Sequence, residues 1–405
     1  MDTKYNIGNN KNGTLPKFQM KLKPSPILFN KNGPPSPKKM KLSEKLSNKF
    51  LRRGINFLEL IKRHKTLIIL GETGSGKTTQ IPQYINSARL QENGKIAITQ
   101  PRRVAAISVA LRVAQEYDVT SKKTKIKYLT DGMLLREAMF DRLLMEYTVV
   151  ILDEAHERTI HTDVLFGIVK KAQKVREDRN LPPLKIIIMS ATMDVDHFSK
   201  YFNNCQAVYL EGRTYPVNVY YTVKPHDDYQ TSCVATFFKI HREAPPNHDV
   251  LIFLTGQEEI EACAHQIRLL AKDPEVHGPP IRVFTLYAAQ PSTQQMTVFQ
   301  PSQPNTRKVV ISTNIAETSV TISGIKYVID SGMVKIRTFH PSTGLELLKV
   351  QRISQEQAWQ RTGRAGRESE GYCYRIYTRS QFELMKRRRC PRYKELTSTQ
   401  LPYNY

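Results

Sequence analysis

Short apolar runs alternate with stretches of helical periodicity along most of this chain, and this alternation predicts an α/β fold. Apolar residues recur at helix-like spacing at Ile55, Leu58 and Ile61, just before the first apolar run. Each run ends in glycine or polar residues, so we expect a doubly wound parallel sheet with ligands along its carboxyl edge. In the first half, the runs predict strands over residues 67–70, 95–99, 126–129, 148–152 and 185–189.

The same pattern repeats in the second half, and 405 residues are enough for two domains. Here the apolar runs predict strands over residues 250–254, 283–286, 308–311 and 327–329. Only the first domain carries a phosphate-loop motif, so we expect the nucleotide to lie in the cleft between the two. The predicted segments are a disordered basic tail over 1–48, a first α/β domain over 49–215, a second over 216–385 and a basic tail over 386–405.

The net charge of +24 is high at both ends of the chain. Residues 1–48 contain ten lysines against Asp2 and Glu44, with no sustained apolar period, which predicts disorder. Basic ends around a basic core favour a polyanionic partner such as nucleic acid, although a solubilising surface has the same composition. Within the tail, the cluster from Pro37 to Lys41 looks like a short nuclear-import signal.

The five cysteines are far apart and form no C-x-x-C pair. This spacing argues against a disulfide framework or a structural zinc site and suits a reducing compartment. No apolar run approaches the length of a membrane span, and the N-terminus has no signal-peptide core. We therefore expect a protein that is not exported and that has no membrane partner.

The first apolar run leads into a glycine-rich segment with the spacing G-x-x-x-x-G-K-[ST]. Its glycines allow a tight backbone cup whose N–H groups point inward, at the positive end of the following helix. There Lys77 would reach the β- and γ-phosphates, and the Thr78 hydroxyl would ligate Mg²⁺. A chance glycine-rich turn is the alternative, but the constrained positions behind a buried strand favour a nucleoside triphosphate site. The predicted binding residues are Gly71, Glu72, Thr73, Gly74, Ser75, Gly76, Lys77, Thr78 and Thr79.

An acidic pair, Asp153 and Glu154, follows the strand predicted over 148–152. Asp153 would hold the Mg²⁺ shell together with Thr78, and Glu154, also counted among the metal-site residues, would orient and deprotonate the attacking water. Acidic residues at a strand end are often helix caps. Here the apolar run before them and the phosphate loop upstream favour catalysis.

The sequence Asp153-Glu154-Ala155-His156 gives its name to the DEAH-box helicases of superfamily 2, and residues 50–377 resemble that family. The resemblance implies two tandem RecA-like P-loop NTPase domains, and it adds His156 to the catalytic set. Residues 157–163 (ERTIHTD) further resemble a nucleolar branch of the family. The matching blocks are 71–78 (GETGSGKT), 99–106 (TQPRRVAA), 130–136 (TDGMLLR), 190–192 (SAT), 253–260 (FLTGQEEI), 312–319 (STNIAETS) and 360–367 (QRTGRAGR).

The last of these blocks supplies the catalytic arginines that the resemblance implies. Arg364 and Arg367 would be arginine fingers from the second domain, stabilising charge on the γ-phosphoryl oxygens, and Gln360 would help to place the water. Clustered arginines are also typical of a nucleic-acid stripe. The spacing with Gly363 and Gly366, which lets the backbone approach a phosphate, favours the catalytic interpretation.

The family sandwiches the nucleotide base between an arginine and an aromatic ring, which match Arg112 and Phe299 in this chain. Stacking without hydrogen bonds to the base edge implies a loose preference among ATP and other nucleoside triphosphates. Thr321 matches a position near the ribose. Phe299 could equally be a core residue.

The resemblance also implies an RNA path whose contacts go to phosphates and sugars. Because Arg102 and Arg103 follow a predicted strand end, we favour RNA contact over a solvated loop. Ser190 and Thr192 would link the nucleotide state to domain movement. The residues that match the RNA path are Arg102, Arg103, Thr130, Gly256, Gln257, Thr313 and Asn314.

Two departures from the family pattern change the expectation. Between Val119 and Ser121 the chain lacks a segment that in the family forms a further strand and an RNA contact, so we expect a first domain short of one strand. The family also continues into winged-helix, helical-bundle and OB-fold domains, which have no counterpart before Tyr405. Both departures bear on unwinding rather than on ATP hydrolysis.

These features predict an ATP-dependent RNA helicase or RNP remodeller that uses ATP and Mg²⁺. The resemblance further implies 3′→5′ translocation, a nuclear and nucleolar location in RNA processing or ribosome biogenesis, a monomer, and protein activators as further partners. Two alternatives stay open. One is a truncated RNA- or partner-binding protein with little turnover, and the other is a DNA helicase on the same fold.

Overall fold

The computed structural model describes residues 29–30, 55–71, 75–90, 94–116, 125–191, 195–210, 215–318, 320–340 and 345–387. Strand β1 (Phe29–Asn30) pairs antiparallel with residues 221–222. These two residues lie in the tail predicted to be disordered, and the rest of that tail lies outside the described residues. The backbone groups of the two residues pair with the edge strand of the second lobe. The predicted strand loss near residue 120 and the tail beyond residue 387 lie outside the described residues.

The first lobe is a parallel sheet with helices on both faces. The described strands follow the spatial order β4-β3-β5-β6-β2-β7, and neighbouring strands run parallel. Its strands are β2 (Thr66–Gly71), β3 (Lys95–Gln100), β4 (Ile126–Thr130), β5 (Tyr147–Leu152), β6 (Lys185–Ser190) and β7 (Gln206–Leu210). Its helices are α1 (Ile55–Arg63), α2 (Lys77–Ser87), α3 (Arg103–Glu116), α4 (Asp131–Phe140), α5 (Ile160–Asp178) and α6 (Val195–Tyr201).

Both faces of this sheet are buried, which explains why its central strands are continuous apolar runs. Ile68 and Leu70 pack in one apolar cluster, while Leu67 and Ile69 pack in another on the opposite face. Parallel sheets covered by helices on both faces require apolar residues at successive positions. The predicted doubly wound sheet is confirmed.

The second lobe repeats this architecture and adds a hairpin. In the described part, the sheet order is β1-β8-β15-β12-β9-β11-β10, with β1 antiparallel, and β13 pairs with β14 as a separate antiparallel ribbon. Its strands are β8 (Val217–Thr222), β9 (Asp249–Phe253), β10 (Ile281–Leu286), β11 (Arg307–Ser312), β12 (Ile325–Asp330), β13 (Met333–His340), β14 (Leu345–Arg352) and β15 (Gly371–Arg375). Its helices are α7 (Tyr229–Glu243), α8 (Gln257–Leu270), α9 (Ser292–Thr297), α10 (Gln355–Thr362) and α11 (Arg379–Glu383).

Sequence reasoning missed several of these strands. The hairpin strand β13 had a signal, because buried Val334 and Ile336 alternate with the more exposed Lys335 and Arg337. Strand β7 contains the apolar run 207–210 (AVYL), which the sequence reasoning passed over, whereas polar residues or glycine interrupt β8 and β15. None of the helices in the described part of the chain has both the length and the apolar character needed to cross a membrane.

The lobes share an apolar contact at the base of the cleft. Val104 and Ala105, at the start of α3 in the first lobe, belong to the same buried cluster as Ile315 and Ala316 of the second lobe. The cleft therefore has an apolar floor beside the strand ends, where the predicted site residues lie.

We expect the second lobe to be sensitive to acid through His241 in α7. Burial, assisted by the charge of Arg307, lowers the pKa of His241 to about 4. The neutral ring contributes stability above its unfolded pKa of about 6.5, and this contribution is lost as the pH falls toward 4. His241→Gln should therefore flatten the fall in melting temperature between pH 7 and pH 4.5 by on the order of 5 °C.

Differential scanning fluorimetry across this pH range measures the effect. His265→Gln, which replaces an exposed histidine of α8, is the matched control and should keep the unmutated slope. Parallel profiles for the unmutated protein and His241→Gln would contradict the assignment.

Candidate active site

The phosphate loop joins β2 to α2, and its described part has the features of an anion site. Gly76 has a φ of 81°, a left-handed conformation that favours glycine, and α2 begins directly after it at Lys77. Lys77 is buried, and Ser75 Oγ is shielded from solvent with no hydrogen-bond partner among the described residues. A shielded hydroxyl and an ammonium at a helix N-terminus fit a phosphate group. The predicted residues 72–74 lie outside the described residues.

Gly71 and Thr79 support the loop from its two ends. A Cβ atom at Gly71 would lie 3.1 Å from Ser75 Oγ and 3.2 Å from the backbone oxygen of Leu210, so the loop passes close to β7. Thr79 Oγ1 donates to the Gly76 carbonyl at 3.2 Å within the first turn of α2. Both residues shape the loop in this structure.

Asp153 connects the phosphate loop to the neighbouring strand ends. Its Oδ2 accepts hydrogen bonds from Thr78 Oγ1 and Gln100 Nε2, each at 2.6 Å, and its Oδ1 accepts the Glu154 backbone N–H at 2.8 Å. Burial, followed by the charge of Glu154, raises the pKa of Asp153 to about 6, and the charge of Lys77 opposes this rise. Thr78 and Asp153 thus offer adjacent oxygen ligands of the kind that Mg²⁺ prefers.

Glu154 is buried and has an unusual backbone. Its φ of 51° lies in the left-handed region, which is uncommon for a residue with a side chain and clusters at functional sites. Its Oε2 accepts no hydrogen bond within the described part of the chain and lies 3.5 Å from His156 Nδ1. The same Nδ1 accepts the Ala191 N–H at 3.4 Å, so it is an acceptor rather than a donor to Glu154.

His156 therefore ties the acidic loop to the end of β6. Ser190, the last residue of β6, is buried beneath this contact, and Thr192 lies outside the described residues. The role predicted for Ser190 and Thr192, linking the nucleotide state to domain movement, stays a prediction.

Arg364 and Arg367 come from the second lobe, just after α10. Arg364 is buried and Arg367 half-buried, and they donate to the Val320 carbonyl at 2.6 Å and to Thr321 Oγ1, respectively. Burial lowers the pKa of Arg364 to about 10, and the charge of Glu154 across the cleft opposes this change. Burial, followed by the charge of Arg364, lowers the pKa of Arg367.

These guanidinium groups fit a triphosphate. Arg364 Nε, Arg364 Nη2 and Arg367 Nε are shielded from solvent and donate no hydrogen bond to any described residue. Shielded, mutually repelling donors are costly unless an anion accepts from them. Their electrostatic interaction with Glu154 indicates that this anion site opens onto the acidic pair of the first lobe.

The remaining predicted nucleotide residues border the same region. Arg112 is exposed on α3 and interacts electrostatically with Arg367, and α3 lies against α9, which precedes Phe299. Phe299 is half-buried and packs against the second lobe's core, so a core role and a stacking role both stay compatible with its position. Gln360 is half-buried on α10. Its assignment, like base stacking, stays a prediction.

The predicted RNA contacts lie at strand ends of both lobes. Arg102 donates to the Asn314 carbonyl across the cleft at 2.6 Å, so two of these residues contact each other. Thr130 and Thr313 also accept the backbone N–H groups of the turns that follow them. The whole set is Arg102 and Arg103 after β3, Thr130 ending β4, Gly256 and Gln257 after β9, and Thr313 and Asn314 after β11.

Sequence reasoning missed three residues that organise the site. Gln100 is fully buried and donates a hydrogen bond to Asp153. Glu157 accepts hydrogen bonds from Arg102 of the first lobe and from Thr318 of the second. Arg361 is fully buried and donates to Glu317 Oε2 at 2.9 Å and to Asp330 Oδ1 at 2.8 Å.

Arg361 differs from the later arginines in the same motif because it binds carboxylates of its own lobe. Gln357 adds a hydrogen bond to Glu317 Oε1 at 2.9 Å. The ion pairs anchor α10 and hence the loop that carries Arg364.

Among the described residues, no group of three or more His, Cys, Asp or Glu side chains has the arrangement of a metal site. A site that depends on two protein oxygens, Thr78 Oγ1 and Asp153 Oδ2, with the rest supplied by phosphate and water, is the usual arrangement for Mg²⁺. The residues present therefore fit a nucleotide-bound magnesium ion.

Two family models match the two lobes. Residues 61–190 match the AAA domain, and residues 232–369 match the Helicase conserved C-terminal domain. Among solved structures, this chain is similar to the crystal structure of the Escherichia coli DEAH/RHA helicase HrpB, with a TM-score of 0.73 and 31% sequence identity. The alignment covers 83% of this chain and 43% of the HrpB chain. Two RecA-like lobes are thus the fold of this chain.

Among curated proteins, the chain is similar to the ATP-dependent RNA helicase DHX33. It is 54% identical to the Homo sapiens protein over 364 residues, 86% of this chain and 51% of the relative. It is 55% identical to the Drosophila melanogaster protein over 341 residues, 80% of this chain and 49% of the relative. The chain spans about half the length of these relatives.

We expect the buried ion pairs of Arg361 to stabilise the second lobe. Arg361→Met leaves Glu317 and Asp330 without their cation, which should cost about 3–5 kcal/mol and lower the melting temperature by on the order of 10 °C. Arg379→Met breaks the exposed pair with Glu383 and is the matched control, with an expected cost below about 1 kcal/mol. Equal melting temperatures for the two variants would contradict the role of Arg361.

Proposed function

Because this chain belongs to the DEAH-box helicases of superfamily 2, we propose that it is an ATP-dependent RNA helicase or RNP remodeller. The observation that carries the proposal is that Arg364 and Arg367 have shielded N–H groups without an acceptor among the described residues. Burial lowers the pKa of both arginines, and the charge of Glu154 in the opposite lobe acts against this lowering. A site built from both lobes responds to the nucleotide by closing. Closing and reopening convert hydrolysis into movement.

The first lobe binds the triphosphate and activates water. The backbone around Gly76 and the Lys77 ammonium bind the β- and γ-phosphates. Thr78 Oγ1 and Asp153 Oδ2 hold Mg²⁺, which neutralises charge on the phosphate oxygens when it is bound. Glu154 accepts the proton of the attacking water, because its shielded Oε2 is free of other hydrogen bonds within the described residues.

The second lobe completes the reaction site. Arg364 and Arg367 stabilise the charge that develops on the γ-phosphoryl oxygens, and Gln360 orients the water. His156 holds the acidic loop against residue 191, so that the acidic loop and β6 move together. The base stacks between Arg112 and Phe299, and Thr321 lies near the ribose.

RNA crosses the carboxyl edges of both sheets. The residues after β3, β4, β9 and β11 grip phosphates and sugars, and the net charge of +24 attracts the strand from a distance. Movement in the 3′→5′ direction and action in nuclear, and specifically nucleolar, RNA processing complete the proposal. The basic cluster at residues 37–41 supports nuclear import. The chain acts as a monomer with protein activators.

The first test of this function is ATP hydrolysis with single-stranded RNA. Lys77→Ala and Glu154→Gln should each reduce RNA-stimulated phosphate release by about 100-fold or more, because one loses phosphate binding and the other the proton acceptor. Lys95→Ala and Glu146→Gln, which alter an exposed ion pair of the same lobe, are the matched controls and should retain most of the rate.

The outcomes separate the competing functions. Unchanged turnover in both active-site variants would overturn the proposal. RNA binding without turnover in the unmutated protein would support a binding protein instead, and equal stimulation by single-stranded DNA would support a DNA helicase.

A further inference from the structure

Glu157 lies where three loops meet, just after the acidic pair. It ends the short turn Ala155–Glu157, and its Oε2 is 3.4 Å from Arg102 Nη2 of the loop after β3. Its Oε1 accepts a hydrogen bond from Thr318 Oγ1 of the second lobe. The side chains of Arg102 and Glu157 are only 20% and 15% exposed, so both contacts are shielded from water.

The charge state of Glu157 suits this position. Burial alone would raise the pKa of its carboxyl group, but the charge of Arg102 and the hydrogen bond from Thr318 hold the pKa below its ordinary value. Glu157 is thus a carboxylate that accepts from both lobes. Charge-assisted hydrogen bonds of this kind are about twice as strong as neutral ones.

On the side of the first lobe, two residues at the end of β3 and in the loop after it contact the acidic loop. Gln100 donates to Asp153, and Arg102 contacts Glu157, while strands β3 and β5 are neighbours in the sheet. Arg102 also donates to the Asn314 carbonyl of the second lobe at 2.6 Å. A shift of this loop is therefore transmitted to the acidic pair.

On the side of the second lobe, the adjacent residues Glu317 and Thr318 bind different partners. Thr318 reaches Glu157 across the cleft, while Glu317 binds Arg361 of α10 at 2.9 Å. Arg361 is followed three residues later by Arg364. The segment that contacts Glu157 is thus continuous with the support of the catalytic arginines.

We propose that Glu157 is a positioning residue that couples RNA binding on the loop after β3 to ATP hydrolysis at the arginines of the second lobe. This inference rests on the proposed helicase function and deepens it. The contact of Thr318 with Glu157 forms only when the lobes are together, so it favours that arrangement over separated lobes. RNA that orders Arg102 orders the same carboxylate, and the two binding events become linked.

The test compares RNA stimulation of the ATPase in Glu157→Gln, Thr318→Val and the double variant. Glutamine keeps the size of the side chain but removes its negative charge, so the ion pair with Arg102 is lost and the hydrogen bond with Thr318 is no longer charge-assisted. Each single variant should lower the ratio of the rates with and without saturating RNA by about tenfold. The double variant should be no worse than the more impaired single variant, because both single variants weaken the contact between Glu157 and Thr318.

Three measurements distinguish coupling from a structural role. The half-saturating concentration of RNA in the presence of Mg-ATP should rise, because linked binding events change each other's affinity. The rate without RNA should stay within about twofold of the unmutated value, and Thr318→Ser, which keeps the hydroxyl group, should retain stimulation. Glu146→Gln is the matched control in the first lobe. Multiplicative losses in the double variant, or failure of Thr318→Ser to retain stimulation, would overturn the inference.

The two proposals fail in different ways. If the unmutated chain shows no RNA-stimulated hydrolysis, the helicase function itself is wrong. If the unmutated chain is stimulated and Glu157→Gln is stimulated equally, only the coupling role of Glu157 is wrong.

Discussion

Asp153 and Glu154 are buried at the carboxyl edge of one parallel sheet, and Arg364 and Arg367 approach them from the edge of another. Within each lobe the two like charges repel each other: Glu154 raises the pKa of Asp153, and Arg364 lowers the pKa of Arg367. The rest of the architecture serves to hold these like charges in place. A nucleotide carrying both negative charge and a metal ion would satisfy both pairs together, as the proposed function requires.

The two lobes hold these charged side chains by different interactions. On the first lobe, neutral and backbone donors hold Asp153, namely Gln100, Thr78 and the Glu154 N–H. On the second lobe, a fully buried ion pair between Arg361 and Glu317 fixes the helix before the arginines. Neutral donors leave Asp153 able to exchange a hydrogen bond for a metal ion. The ion pair makes α10 a rigid base for the residues that follow it.

Much of this fold follows from the sequence, for a physical reason that applies to some strands and not to others. β2 and β5 are buried on both faces and are therefore continuous apolar runs that any reading detects. β8 and β15 place tyrosines such as Tyr220 and Tyr374 in a half-buried stack, so no apolar run marks them. The two-residue strand β1 was not predicted, because two residues are too few to show a periodic pattern.

The site was predictable as a set of residues but not as a set of contacts. The phosphate-loop spacing predicts Lys77, and the place of Asp153 after a buried strand predicts its role. Arg364 was predicted from the family resemblance. Spacing cannot indicate that Arg361 binds Glu317, whereas Arg364 donates to the Val320 carbonyl and keeps Nε and Nη2 without an acceptor among the described residues. The contact between Arg102 and Glu157 likewise depends on the spatial order of the strands, which no local spacing contains.

The apolar contact of Val104 and Ala105 with the second lobe makes the association of the two lobes sensitive to temperature. Separating the lobes would wet these side chains at a cost of about 25 cal/mol per Å² of apolar surface. Because hydrophobic association weakens on cooling, low temperature shifts the balance toward parted lobes and warmth favours their union. This apolar contact thus makes the relative stability of joined and separated lobes depend on temperature, independently of any ligand.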